Sequence, residues 1–183
     1  MEFGILFTSQ PHRDREPYPH RAVHERVTDE IIAADRLGFD CAWLAEHHFS
    51  TEYGIMPDVW AYAGHLAALT KRIKLGMAVV TLPLANPVRT VENVGFVDIL
   101  SGGRVVLGVG SGYRKYEFDG FGLDFEARRD MQEEALEIVL DPPAHWPELA
   151  QRQALCRRCL RRTTSCCRSL CSGPIRPLPG RCD

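Results

Sequence analysis

The chain has 183 residues, with 22 basic and 24 acidic side chains and a formal net charge of −2. Hydrophobic residues make up 45% of it and charged residues 25%, which are ordinary values for a globular chain. No apolar run is long enough to predict a transmembrane helix, and the near-neutral charge offers no electrostatic basis for binding nucleic acid. The first residues lack the basic and apolar regions of a signal peptide, so we expect a cytoplasmic location.

The composition changes near residue 141. Residues 141–183 contain eight arginines, no lysine and six of the seven cysteines. We therefore divide the chain into a folded portion, residues 1–140, and an Arg/Cys/Pro-rich tail, residues 141–183, which we expect to be out of frame or disordered. The alternative is a zinc site based on Cys156 and Cys159. It is disfavoured because the next two cysteines are adjacent rather than spaced as metal ligands are.

Short apolar runs and helical periodicities alternate along the folded portion. The predicted strands cover residues 2–8, 40–45, 73–82 and 104–109, and the predicted helices cover residues 21–37, 58–70, 89–100 and 125–140. Asp58 is placed to cap the second helix. This alternation predicts parallel βαβ units and therefore an α/β fold. Two architectures fit: a doubly wound open sheet, or the first four βα units of a (β/α)8 TIM barrel.

Ligands of parallel α/β folds bind beyond the C-terminal ends of the strands. The second predicted strand runs directly into Glu46-His47-His48. An imidazole at this edge can act as a general acid or base near neutral pH, and a flanking carboxylate can hold its tautomer. A hydrogen-bonded, solvated pair of histidines explains the pattern equally well. A metal site is disfavoured because the sequence places no third ligand there.

Glycines surround the end of the fourth predicted strand, at Gly108, Gly110 and Gly112. They permit close approach of a ligand, and free backbone amides in such a loop can bind an anion. A dinucleotide-binding fingerprint is disfavoured because its third glycine would stand at Tyr113. At the end of the third strand, small residues leave room for a planar ring, although ordinary core packing explains them as well.

Four stretches of this sequence resemble the bacterial luciferase-like flavin-dependent monooxygenase family. They are MEFGILFTSQP at 1–11, GFDCAWLAEHHFSTEYG at 38–54, the run over 73–112, and YRKYEFDGFG at 113–122. The resemblance continues in order to about residue 140. It implies a (β/α)8 barrel that binds reduced FMN and uses O2 to monooxygenate a small organic substrate, in a homo- or heterodimer.

The resemblance also implies roles for particular residues. The family's catalytic histidine maps onto His47. The cofactor-binding positions implied by the resemblance are Glu46, His48, Ala78, Val79, Gly110, Ser111 and Gly112, with a non-prolyl cis peptide at Ala78–Val79 beneath the flavin ring. No metal is implied. The luciferase alpha subunit has an arginine where this chain has Ser111, which argues against a phosphate contact there and against aldehyde luciferase activity itself.

There are three alternatives to the monooxygenase hypothesis. A deazaflavin-dependent oxidoreductase of the same superfamily would share the residues that face the ring. A non-catalytic partner subunit would resemble the beta chain that supports an active one. The third alternative is a non-functional truncated product. For this chain itself we expect a truncated N-terminal part of a family member that binds flavin weakly or not at all and is weakly active or inactive, because the resemblance implies that the family's later units carry most of the flavin phosphate site.

Overall fold

The computed structural model describes residues 1–12 and 19–141. The strands are β1 (Gly4–Phe7), β2 (Cys41–Leu44), β3 (Lys74–Met77), β4 (Val80–Thr81), β5 (Val105–Val106) and β6 (Val109–Gly110). The α-helices are α1 (Pro19–Leu37), α2 (Val59–Leu69), α3 (Pro87–Ser101), α4 (Lys115–Phe121) and α5 (Arg128–Leu140), and a 3-10 turn covers Leu82–Leu84. The tail predicted for residues 141–183, with its cysteines, lies outside the described residues apart from Asp141.

The strands pair in parallel, and their spatial order follows the chain. Strands β1, β2, β3 and β5 form one sheet in that order, and β4 pairs with β6 beside it. Because β3 is followed at once by β4, and β5 by β6, each pair is one barrel strand with a short interruption. A doubly wound sheet would reverse direction at a switch point, and these strands do not. The fold is therefore α/β, with the first four strands of a TIM barrel.

One face of the sheet packs against helices to form the core. Ala42, Leu44 and Leu75 alternate along their strands and are buried in one cluster with Val27 and Ile31 of α1. Successive strand residues point to opposite faces, so this alternation assigns the buried face. Burying such aliphatic side chains contributes about 1.5–3 kcal/mol each.

The other face of the sheet carries Trp43, whose indole lies across two neighbouring strands. A Cβ atom added to Gly4 would lie 2.6 Å from the indole Nε1, and one added to Gly76 would lie 2.4 Å from its Cε3. Both positions therefore require glycine so that the ring can lie flat on the sheet. Leu6, on this same face, is 56% exposed. This is the face that lines the interior in a closed barrel.

Helix starts are set by side-chain caps. Asp58 accepts hydrogen bonds from the amides of Trp60 and Ala61, both at 3.0 Å, so the predicted cap of α2 is confirmed. Helix α3 begins earlier than predicted, at Pro87, because Asn86 caps it and proline is well suited to the first helical position. No helix among the described residues is long and apolar enough to cross a membrane.

The largest departure from the sequence prediction is α4, which lies between the fourth predicted strand (104–109) and the last predicted helix (125–140), where no helix was predicted. It has seven residues and contains Gly120, so it is too short for an apolar periodicity to show. Only Glu117 and Phe118 are buried in it. Two smaller corrections concern the third and fourth strands, which are interrupted, and α5, which begins at Arg128 rather than Phe125.

Candidate active site

His47 follows β2 at the C-terminal edge of the sheet, and its imidazole is paired with a carboxylate from α4. Its Nδ1 atom lies 3.1 Å from Oε1 of Glu117, and that oxygen also accepts a hydrogen bond from the backbone N–H of His48 at 3.1 Å. Because a carboxylate can only accept, Nδ1 carries the proton and Nε2 is left with its lone pair when the ring is neutral. Glu117 is only 3% exposed, so its position is well determined by packing.

Glu46 and His48 form a second carboxylate–imidazole pair beside the first. His48 Nε2 lies 3.1 Å from Glu46 Oε1, and Glu46 Oε2 accepts from the backbone N–H of Val59 at 3.1 Å. Val59 is the first residue of α2, so Glu46 links the strand end to the start of that helix. The two imidazoles are therefore held by different carboxylates. No cluster of three or more metal-ligating side chains exists among the residues that the structure describes.

Burial makes the imidazole of His47 harder to protonate. Desolvation lowers its pKa below 6.5, and the charge of Arg114 acts in the same direction, while the hydrogen bond with Glu117 opposes both. Burial therefore favours the neutral form of the His47 imidazole. A neutral imidazole with a free Nε2 lone pair is the form that accepts a proton.

Aromatic side chains surround His47. The ring centre of Tyr53 lies 5.5 Å from that of His47, and the ring centre of Tyr113 lies 6.4 Å away, edge-on. Gly54 packs so closely that a Cβ there would lie 2.4 Å from His47 Cδ2. These contacts restrict the imidazole to one orientation at the mouth formed by the strand ends.

The predicted flavin-facing residues lie on the two neighbouring strands. The peptide bond between Ala78 and Val79 is cis. The side chain of Val79 is 39% exposed, and a Cβ at Gly110 would lie 2.8 Å from its Cγ2. A Cβ at Gly112 would lie 2.8 Å from both Thr81 Cγ2 and Phe118 Cε2. Glycine is therefore required where the two strand ends approach each other and α4.

This arrangement fits a flat, largely apolar ring with one polar edge. The exposed side chains of Leu6, on β1, and Val79, after β3, provide apolar surface on the two strands that flank β2, and His47 lies at the end of β2 between them. The glycines keep that surface free of further side chains.

The sequence matches the family model of the luciferase-like monooxygenases over residues 1–141. The chain belongs to the luciferase-like monooxygenase family. It is 36% identical over 140 residues to an alkanal monooxygenase alpha chain from the Kryptophanaron alfredi symbiont. It is 35% identical over 134 residues to the corresponding chain of Photorhabdus laumondii. The family assignment made from the four sequence stretches is thus confirmed.

Solved structures with the family's fold overlay well on this chain. The oxygenating constituent of 3,6-diketocamphane monooxygenase from Pseudomonas putida, in complex with FMN, has a TM-score of 0.69 and 22% identity, covering 81% of this chain and 43% of its own. The monooxygenase RslO1 from Streptomyces bottropensis has a TM-score of 0.70 and 25% identity, covering 80% of this chain and 45% of its own. These matches confirm the TIM-barrel fold.

This luciferase-like chain spans well under half the length of its curated relatives. The matched region covers 76% of this chain but 38% of the Kryptophanaron alfredi symbiont protein, and 73% of this chain but 36% of the Photorhabdus laumondii protein. The activity of the whole relatives therefore carries over to this chain only as a proposal.

The structure brings most of the predicted site residues to one edge and adds two that the sequence analysis missed. His47 and Gly112 both lie against α4, and Gly110 lies against Val79. His48 pairs with Glu46 and also donates its backbone N–H to Glu117 of α4. The roles predicted for these residues, and for Ala78 and Ser111, stay predictions. The missed residues are Glu117 and Arg114. An acidic residue two places after a Tyr-Arg-Lys run gave no signal of its own, because its helix was not predicted.

Proposed function

We propose that this chain acts as a flavin-dependent monooxygenase that uses reduced FMN and O2 to oxygenate a small organic substrate. The observation that supports this most directly is the His47–Glu117 pair at the strand edge, in a chain that matches the luciferase-like family model. The cytoplasmic location expected from the sequence remains part of this proposal.

His47 would serve as the acid–base residue. Its Nδ1–H is engaged by Glu117, so Nε2 is the atom that accepts a proton from a bound reactant and later returns it. The buried carboxylate stabilises the protonated ring once it forms, in the manner of the orienting carboxylate in a hydrolase triad. Reduced flavin, when bound, supplies the electrons that activate O2.

The remaining predicted residues would hold and shield the cofactor. Ala78 and Val79 would lie beneath the ring, and Gly110, Ser111 and Gly112 would lie beside the pyrimidine and ribityl portion. Glu46 and His48 would form the wall next to His47. Tyr53 and Tyr113 would limit access of water to the imidazole, and excluding water from such a site prevents side reactions.

A substitution at His47 tests this proposal. We expect the 183-residue chain to quench flavin fluorescence weakly but saturably, and to consume O2 with reduced FMN and a small carbonyl substrate. The change His47→Asn should leave the affinity for FMN within about twofold and lower turnover by about a hundredfold. His65→Asn, an exposed histidine on α2, is the matched control and should leave both unchanged.

Two outcomes would contradict the proposal. One is the absence of any flavin-dependent O2 consumption. The other is His47→Asn turning over as fast as the control. A parallel titration with the deazaflavin F420 distinguishes the cofactor, because solved neighbours of this fold include an F420-dependent tetrahydromethanopterin reductase from Methanopyrus kandleri, at a TM-score of 0.57 and 22% identity. Hydride transfer to or from F420 without O2 consumption would indicate the oxidoreductase alternative.

Pairing with a second family subunit is a further part of the proposal. Three large apolar side chains of α3 are 52–60% exposed in the described structure: Phe96, Ile99 and Leu100. Apolar surface of this kind commonly marks a protein interface. Light scattering of the purified chain, compared with Phe96→Lys, tests pairing with a second copy of the chain. A monomeric wild-type chain would contradict that pairing.

A further inference from the structure

Arg114 is held in place near His47 by three tyrosines. Its Nε atom donates a hydrogen bond to Tyr113 Oη at 3.0 Å, and its Nη1 atom donates one to Tyr116 Oη at 2.6 Å. The guanidinium carbon also lies 4.4 Å from the ring centre of Tyr53. Stacking on one ring and hydrogen bonds to two others restrict the guanidinium to a narrow range of orientations.

The positive charge of Arg114 is the second feature of this cluster. No ion pair within residues 1–12 and 19–141 involves this guanidinium, whereas the adjacent Lys115 is paired with Asp119 at 2.5 Å. The charge is also felt at the catalytic position, because it contributes to lowering the pKa of His47 after the larger effect of burial. A fixed cation without a carboxylate partner is most stable when an anion can approach it.

The tyrosines add donors of the same polarity. Since each phenol oxygen accepts from Arg114, each O–H hydrogen remains free to donate to another group. Tyr113 is 70% exposed and Tyr116 is 41% exposed, so a solute can reach these hydroxyls. Tyr113 also lies against His47, with 6.4 Å between ring centres. The cluster therefore offers a cation and two O–H donors next to the candidate active site, while the neighbouring carboxylate of Glu117 is engaged by His47 and by the backbone N–H of His48.

We propose that Arg114, Tyr113 and Tyr116 form an oxyanion-binding site for a phosphate or carboxylate group beside His47. The bound group could be the phosphate of the cofactor or an anionic group of the substrate. This choice rests on the proposed function, whereas the site itself does not. In the sequence, Arg114 is the first basic residue after the glycine-rich segment Gly110-Ser111-Gly112.

The binding of inorganic phosphate tests the site itself. The full-length protein is titrated with phosphate at constant ionic strength by isothermal calorimetry, alongside Arg114→Gln and the matched control Lys115→Gln. Each variant loses one positive charge, at adjacent positions. We expect Arg114→Gln to weaken phosphate binding about tenfold or more, and Lys115→Gln to change it less than twofold. Equal losses in both variants, unchanged binding in Arg114→Gln, or no binding by the wild type would overturn the proposal.

A second variant covers the case in which Arg114→Gln does not fold, as judged by circular dichroism. Tyr113→Phe keeps the exposed ring and removes one O–H donor, so phosphate binding should weaken about threefold or more. If Tyr113→Phe and Tyr116→Phe both bound phosphate as tightly as the wild type, the hydroxyls would have no role and the site as proposed would be wrong.

Titrations with FMN and riboflavin identify the source of the anion. If the site holds the cofactor phosphate, Arg114→Gln should lose the preference for FMN over riboflavin and bind riboflavin as the wild type does. If the site holds a substrate group, the preference should persist while phosphate binding is lost. If neither flavin binds any variant but phosphate binding still depends on Arg114, the proposed flavin function fails and the oxyanion site stands.

Discussion

Glu117 lies seventy residues after His47 in the chain, yet its carboxylate is 3.1 Å from the imidazole Nδ1 and is almost completely buried. The two residues belong to different βα units, and the glycine-rich segment after β6 brings them together. A carboxylate in this position determines which nitrogen carries the proton and leaves the other directed to a reactant. The pair is therefore the element of the site on which acid–base chemistry would depend.

Replacing Glu117 by Gln should impair turnover by changing the proton affinity of His47. The amide oxygen can still accept hydrogen bonds, but its negative charge is lost. Since Glu117 opposes the effect of burial on His47, the pKa of His47 should fall further below 6.5. We expect turnover to drop about tenfold, with KM nearly unchanged, and the acidic limb of the pH–rate profile to move to lower pH.

Asp119→Asn is the control for that measurement. Asp119 lies on the same helix and pairs with the exposed Lys115, so the variant also removes one negative charge from α4. It should leave the pH–rate profile in place. A profile that moves equally in both variants would mean that Glu117 acts through general electrostatics and does not position His47.

The stability of the fold should decrease in mild acid. Burial lowers the pKa of both His24 and His47 in the folded chain, so below pH about 6.5 the unfolded chain binds more protons than the folded one. The contribution of both residues is complete above that pH and is lost as the pH falls toward the folded pKa values. Urea unfolding between pH 7.5 and 5.5 should show this decrease.

The double change His24→Gln and His47→Gln should flatten that pH dependence. The Nδ1 atom of His24 is buried without a hydrogen-bond partner among the described residues, so protonating the ring there is unfavourable. The control is His65→Gln, which removes an exposed histidine of α2 and should leave the pH dependence of unfolding unchanged. A slope that survives the double change would assign the acid sensitivity to other groups.

Arg104 connects the ends of two helices. Its substitution should lower the free energy of unfolding more than the substitution of an exposed arginine does. Its guanidinium donates to the carbonyl oxygens of Ala67, Thr70, Ile73 and Ser101, and to Thr70 Oγ1, at 2.7–3.1 Å. Four carbonyls that would otherwise lack donors are satisfied by this one side chain. Arg104→Ala should lower the free energy of unfolding by about 3 kcal/mol.

Arg129→Ala provides the comparison, because Arg129 is exposed on α5. It should change the free energy of unfolding by less than about 0.5 kcal/mol. Chemical denaturation of both variants at the same pH makes the measurement. If Arg104→Ala were as stable as Arg129→Ala, the hydrogen bonds at the helix ends would contribute nothing net.

Gly54 should tolerate alanine less well than another glycine of the same backbone conformation. Gly54 and Gly102 have φ values of +68° and +72°, so alanine costs a similar amount of backbone strain at each, about 1 kcal/mol. At Gly54 the new Cβ would lie 2.4 Å from His47, whereas at Gly102 nothing lies within 4 Å. Gly54→Ala should therefore also reduce turnover, measured by O2 consumption, and Gly102→Ala should not. Equal turnover in the two variants would show that the contact with His47 is unimportant.

Local sequence patterns predicted the order of strands and helices because each depends on neighbouring residues. The apolar run before Glu46, the cap at Asp58 and the periodicity of α1 each act within a few positions, and each is present in the structure. The candidate His47 was found in the same way, as an imidazole directly after a strand. Helix α4 itself was not predicted, because two helical turns with a glycine inside leave no readable periodicity.

The amino-acid sequence by itself therefore determined the α/β class, the family and the position of the histidine at the strand edge. Only the tertiary structure decided that Glu117 is its partner, that Arg114 lies among three tyrosines, and that Trp43 requires glycine on both neighbouring strands. Those relationships join residues that are far apart in the chain. They depend on how parallel strands are placed side by side, and the pattern of any one segment carries no information about the segment that will face it.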